Sequence, residues 1–79
     1  MDETVRLCDI GVGEHCIVSA LCATGAMRRR LLDIGLVESA RVTCLGKSPA
    51  GDPSAYLIAG AVIAIRARDA RDVVVCYGT

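Results

Sequence analysis

Apolar and polar residues alternate with a period of two over several short stretches of the chain, and with a helical period over one. Glu14 to Leu21 reads as a strand, with Cys16, Val18 and Ala20 on one face and Ile17 and Leu21 on the other. Gly11 and Gly13 mark the turn into it. Arg41 to Gly46 is a second strand, in which Val42 and Cys44 alternate against Thr43 and Leu45. Two apolar runs, Ala55 to Ala59 and Ala61 to Arg66, are divided by Gly60, whose tolerance of positive φ predicts a tight hairpin at Ala59-Gly60. Val73 to Tyr77 is a last strand. Met27, Leu31 and Ile34 follow i, i+4, i+7 spacing and predict a helix from Gly25 to Ile34, capped by Thr24 and ended by Gly35. Arg68 to Asp72 is short and charged, fit for one helical turn, and Ser48-Pro-Ala-Gly-Asp-Pro53 is a surface loop. The expectation is a mainly β fold of five or so strands with one inserted helix, closed as a small barrel so that few edges stay open.

Composition narrows this picture. The chain has 79 residues, nine Lys plus Arg against nine Asp plus Glu, and 53% hydrophobic residues. That is room for one domain, spanning 1–79, with a thin core. The core must be aliphatic, since Tyr56 and Tyr77 are the only aromatics. Zero net charge opposes a nucleic-acid or anionic-lipid surface, and little is available to stack a base on. The uncharged run Pro53 to Ile65 is broken by Gly60 and is shorter than the ~18–20 apolar residues that cross a bilayer. The acidic start Met1-Asp2-Glu3 is followed by no apolar signal core, so the expected place is the cytoplasm, without membrane insertion.

The candidate chemistry is sparse. Gly46-Lys47-Ser48 lacks the upstream glycine of a phosphate loop, because position 41 is Arg41, and Pro49 follows where a helix should start. Gly11-Val-Gly13 begins a dinucleotide fingerprint that Cys16 interrupts. His15 is the single histidine, and neighbouring Cys16 should face the opposite way on a strand, so no nucleophile–base pair forms. No enzyme, cofactor or metal site is expected. Cys8, Cys16, Cys22, Cys44 and Cys76 include no pair at zinc-site spacing and read as small buried hydrophobes; with His15 they form the rival reading, a transition-metal or thiol redox sensor. Arg28, Arg29 and Arg30 fan over about 200° of the helix. Arg29 and Arg30 are in reach of Asp33, which leaves a solvated face or a docking patch.

The order of these features resembles the FeoA family, ferrous iron transport protein A. Met27-Arg-Arg-Arg-Leu-Leu-Asp-Ile-Gly-Leu36 followed by Arg41-Val-Thr-Cys-Leu45 is similar to its RRL-x-D-[LI]-G-L signature. Ser48 to Pro53 resembles its Pro-x-Gly-Asp-Pro loop, Gly60 to Arg66 with Asp69-Ala70 its ending, and Leu7, Ile10 and Gly11 its opening strand and turn. Glu38-Ser39 departs from the family's Pro-Gly type turn, and the cysteines lie outside its pattern. The resemblance implies a small SH3-like β-barrel, a fold shared with the C-terminal module of iron-dependent repressors. It also implies an accessory role in bacterial ferrous iron uptake, with the FeoB permease as partner at its cytoplasmic GTP-binding region. The expected contact residues are Arg28, Arg29, Arg30, Leu36, Pro49, Asp52 and Pro53. An exposed leucine or valine patch would add self-association.

Overall fold

The computed structural model describes residues 4–78. Among them, six strands and two helices follow in the order β1 (Thr4–Arg6), β2 (His15–Leu21), α1 (Gly25–Asp33), β3 (Arg41–Lys47), β4 (Ser54–Ile58), β5 (Ala61–Ile65), α2 (Ala67–Ala70) and β6 (Val73–Tyr77). A 3-10 turn, Leu7–Asp9, follows β1. Every pairing is antiparallel, and the sheet runs β1-β6-β2-β3-β4-β5, so among the described residues β1 and β5 stay unpaired to each other and the closure expected from the sequence is not completed by a strand ladder. The five strands read from alternation are all present; β1 is the sixth and ends just before Leu7, Ile10 and Gly11, which the resemblance gave to an opening strand and turn and of which Leu7 lies in the 3-10 turn. No helix among the described residues is long and apolar enough to cross a membrane.

The inward positions of the strands make the core. Cys16, Val18, Val42, Cys44, Ile58, Val73 and Val75 are buried, and Leu7, Ile10, Leu31 and Leu36 close over them. Tyr56 is the one aromatic side chain in this core, and its hydroxyl donates to the Leu7 carbonyl at 3.3 Å. Alternation fails at one predicted place. Ala20, expected beside Cys16 and Val18, is exposed, because the β2–β6 register shifts between Val18 and Ala20. A bulge adds one residue to its strand and so reverses which side chains point inward beyond it.

Helix α1 buries Leu31 and packs Met27 and Ile34 partly against the core, the stripe its spacing predicts. Thr24 occupies the cap position in extended conformation, but its side chain makes no capping hydrogen bond. The C-terminus is better defined. Leu36 N–H donates to the Leu31 carbonyl at 3.1 Å, and Gly35 N–H to Leu32 at 3.0 Å. This is a Schellman motif, in which Gly35 takes a φ of 107°. The motif turns the residue after the glycine back onto the helix, so Leu36 is fully buried. Leu36 therefore belongs to the core and not to the surface expected of it.

The β4–β5 hairpin turns at Ala59 and Gly60, with φ of 51° and 82°. Two positive values in a two-residue turn are the geometry that matches strand twist. The loop before β4 is held by Asp52, whose Oδ1 accepts the Ala67 N–H at 2.8 Å. That bond satisfies the first free donor of α2 and ties the loop to it.

Candidate partner-binding groove

The three consecutive arginines separate as a helix of 100° per residue requires. Arg28 leans toward β2 and donates to the Leu21 carbonyl at 3.4 Å. Arg29 stays on the outer side of α1, and Arg30 reaches the opposite flank. All three are exposed, and among the described residues neither Arg29 nor Arg30 is ion-paired with Asp33.

Arg30 borders a groove of about 340 Å³ between α1, β5 and α2. Its apolar side is Met27, Leu31 and Ile34 from the helix and Ile63 and Ile65 from the strand. Its charged rim is Arg30, Arg66 and Arg68, with Asp69 the single carboxylate. Pro53 lines it from the loop, and Asp52 fixes that loop from behind through Ala67. Of the seven expected contact residues, Arg30 and Pro53 thus meet in one place, with Asp52 supporting them. Arg28 and Arg29 lie around the helix, Pro49 is exposed at the loop tip, and Leu36 is buried.

Arg66 and Arg68 were not singled out by sequence reasoning. Their signal was the charged flank of the last apolar run, but only the fold brings that flank beside Arg30. A wider depression of about 510 Å³, lined by Val37, Thr43 and Leu57 among others, lies on the outer face of β3 and β4 and has Arg41 as its one charged residue. Val62, 66% exposed, continues that face on β5, opposite Leu57.

The thiols do not assemble. Cys16 and Cys44 are in the core, Cys8 and Cys76 are half-buried, and Cys22 is exposed, 3.9 Å from the Arg6 guanidinium. Burial, with smaller contributions from Cys44, Cys76 and Glu14, pushes the Cys16 thiol up to about 11, so it stays protonated at neutral pH. Burial and the adjacent Asp9 raise Cys8 as well. His15 faces out, and its Nδ1 is 2.9 Å from the Thr43 hydroxyl. Among the described residues, no three His, Cys, Asp or Glu side chains converge on a point where a metal could sit. The rival reading therefore finds no ligand cluster here. The groove holds guanidinium groups and one carboxylate, a set suited to binding anionic groups by paired hydrogen bonds.

A small antiparallel sheet with a helix inserted after its second strand defines the class, an SH3-like domain. The profile of the FeoA domain matches residues 5–76, and the chain belongs to the FeoA family. A FeoA protein from Chlorobium tepidum, solved by NMR, is 31% identical with a TM-score of 0.87 over 95% of this chain and 71% of that one. A FeoA-like protein from Clostridium acetobutylicum is 25% identical, with a TM-score of 0.91 over 100% of this chain and 92% of that one. The zinc complex of Stenotrophomonas maltophilia FeoA is 27% identical, with a TM-score of 0.79 over 90% of this chain and 88% of that one. It is described as a procaryotic SH3 domain protein and a candidate ferrous iron transport activating factor. Comparison with curated proteins gives no match.

Proposed function

We propose that this protein is a single-domain, cytoplasmic accessory component of bacterial ferrous iron transport. It acts without catalysis, by docking on the cytoplasmic GTP-binding region of a FeoB-type permease. The family supports the transport role. The observation that carries the docking role is the groove, where Arg30, Arg66 and Arg68 surround an apolar floor. Apolar floors with arginine at the margin are the composition of protein interfaces, where arginine is enriched and lysine depleted. The same groove offers no histidine, thiol or hydroxyl to serve as nucleophile or base, and its single carboxylate has no partner for acid–base work. Arg28 and Arg29 extend the basic character around α1, while Pro49, Asp52 and Pro53 shape the adjoining loop.

The test is capture of the permease's isolated cytoplasmic region by the whole chain, paired with ferrous uptake in cells lacking the chain. Replacing Arg28, Arg29 and Arg30 by Glu should abolish capture and fail to restore uptake, with circular dichroism unchanged because all three side chains are exposed. Capture and uptake both intact in that variant would remove α1 from the interface.

A further inference from the structure

β5 ends the sheet. Among the described residues nothing pairs with its outer edge. Which backbone groups that edge presents follows from the hairpin. A two-residue turn closes on a hydrogen-bonded pair, here Ile58 and Ala61, and such pairs recur at every second residue. Tyr56 with Ile63 and Ser54 with Ile65 are then the next rungs. The N–H and C=O groups of Val62 and Ala64 consequently point away from β4, toward open space. Edge strands are ordinarily blunted by lysine, proline or a bulge. β5 reads Ala-Val-Ile-Ala-Ile and pairs with β4 without a register shift, so it has none of these.

This unguarded edge borders the groove, since Ile63, Ala64, Ile65 and Arg66 all line it. Three features therefore coincide: free strand-forming backbone, an apolar floor, and a rim with three guanidinium groups against one carboxylate. We infer that the groove receives an extended acidic segment of a partner protein, which adds to β5 as a further strand. This inference rests on the docking function proposed above and names the element the partner would contribute. Alternate side chains of the segment point down onto Met27 and Ile34, the half-buried residues of the helix stripe, and the intervening carboxylates meet Arg30, Arg66 and Arg68. Main-chain bonds to Val62 and Ala64 fix its register. Charge decides between this occupant and a second copy of the chain. A second copy paired edge to edge through its own β5 brings the same three arginines and, from its groove, only Asp69 in return, whereas an acidic segment neutralises the rim.

The experiment uses the whole chain and synthetic octapeptides that alternate valine with glutamate. Lysine-substituted and backbone N-methylated versions serve as controls, and amide hydrogen exchange is the readout. The acidic peptide should slow exchange at Val62 and Ala64 and bind more weakly as salt rises, and neither control should bind. Arg66→Glu with Arg68→Glu should weaken binding about tenfold. Val62→Pro removes an N–H that β4 does not use, so it should leave the sheet intact and abolish binding. No binding of the acidic peptide, or binding that survives N-methylation, overturns the inference. So does protection of Val62 and Ala64 that grows with the chain's own concentration, which would mean a second copy occupies the edge. If the permease region is captured while these two amides stay unprotected, docking stands and the strand addition falls. If the peptide protects the edge but the permease region is not captured, the strand site stands and the permease is the wrong partner.

Discussion

Gly35 ends α1 and lies against the β4–β5 hairpin. Its φ of 107° is one that side chains rarely adopt. A Cβ added there would also stand 3.0 Å from Ile58 Cγ2 and 3.4 Å from the Ala59 Cβ. Gly35→Ala therefore meets backbone strain and crowding together, and should lower stability by about 2 kcal/mol, read as a reduced urea midpoint. Gly35→Asn tolerates the dihedral better but keeps the crowding, so it should recover only part of the loss. The sequence made Gly35 legible as a helix stop, since glycine after a periodic run is a strong signal. It left Leu36 misread, because only the Schellman bonds to Leu31 and Leu32 reveal that the next residue swings inward. Arg66 and Arg68 were invisible as site residues for a similar reason: their neighbour Arg30 lies far away in sequence and near only in the fold.

Among the elements, strand bounds were readable from alternation even where a bulge intervenes, as between Cys44 and Gly46 of β3, but the bulges themselves were not. β3, β4, β5 and β6 fall within a residue or so of their predicted bounds, and the Ala59-Gly60 turn is where glycine placed it. β2 was found, but the shift between Val18 and Ala20 was not, since a bulge depends on the partner strand and leaves little trace in one sequence. β1 has three residues, too few for a period to register. The loop before β4 shows how elements are tied. Asp52 was predicted as a contact residue, and the structure gives it the Ala67 N–H. Asp52→Ala leaves that donor without its acceptor and should cost about 1 kcal/mol, with faster amide exchange at Ala67 and its neighbours in α2. If exchange in α2 does not change, the tie is not what holds that turn.

The molecule as a whole has a small, aliphatic core, so a few buried ionisable groups weigh heavily on its stability. Burial pushes Cys16 up from 9.0 to about 11, and burial pushes Tyr56 up from 10.0 to about 12, with the Ser54 hydrogen bond opposing. Both groups hold their proton more tightly folded than unfolded. Their stabilisation is complete below about pH 9 and is lost as pH rises, between 9 and 11 for Cys16 and between 10 and 12 for Tyr56. Moving from pH 8 to about 10.5 should lower the unfolding free energy by about 3 kcal/mol, seen in urea melts. Cys16→Val should flatten the first part of that decline.

The pairing of the first strand with the last has a mechanical meaning. Thr4 is the register partner of Cys76, Val5 of Val75 and Arg6 of Val74, so both ends of the described chain leave from the same rung. The interstrand bonds run perpendicular to the strands. Tension drawn across the two ends would open them one at a time, like a zip, instead of loading them all in shear. Pulled in that way, the ladder between β1 and β6 yields rung by rung from Thr4 and Cys76 inward, and each step bears on few bonds at once.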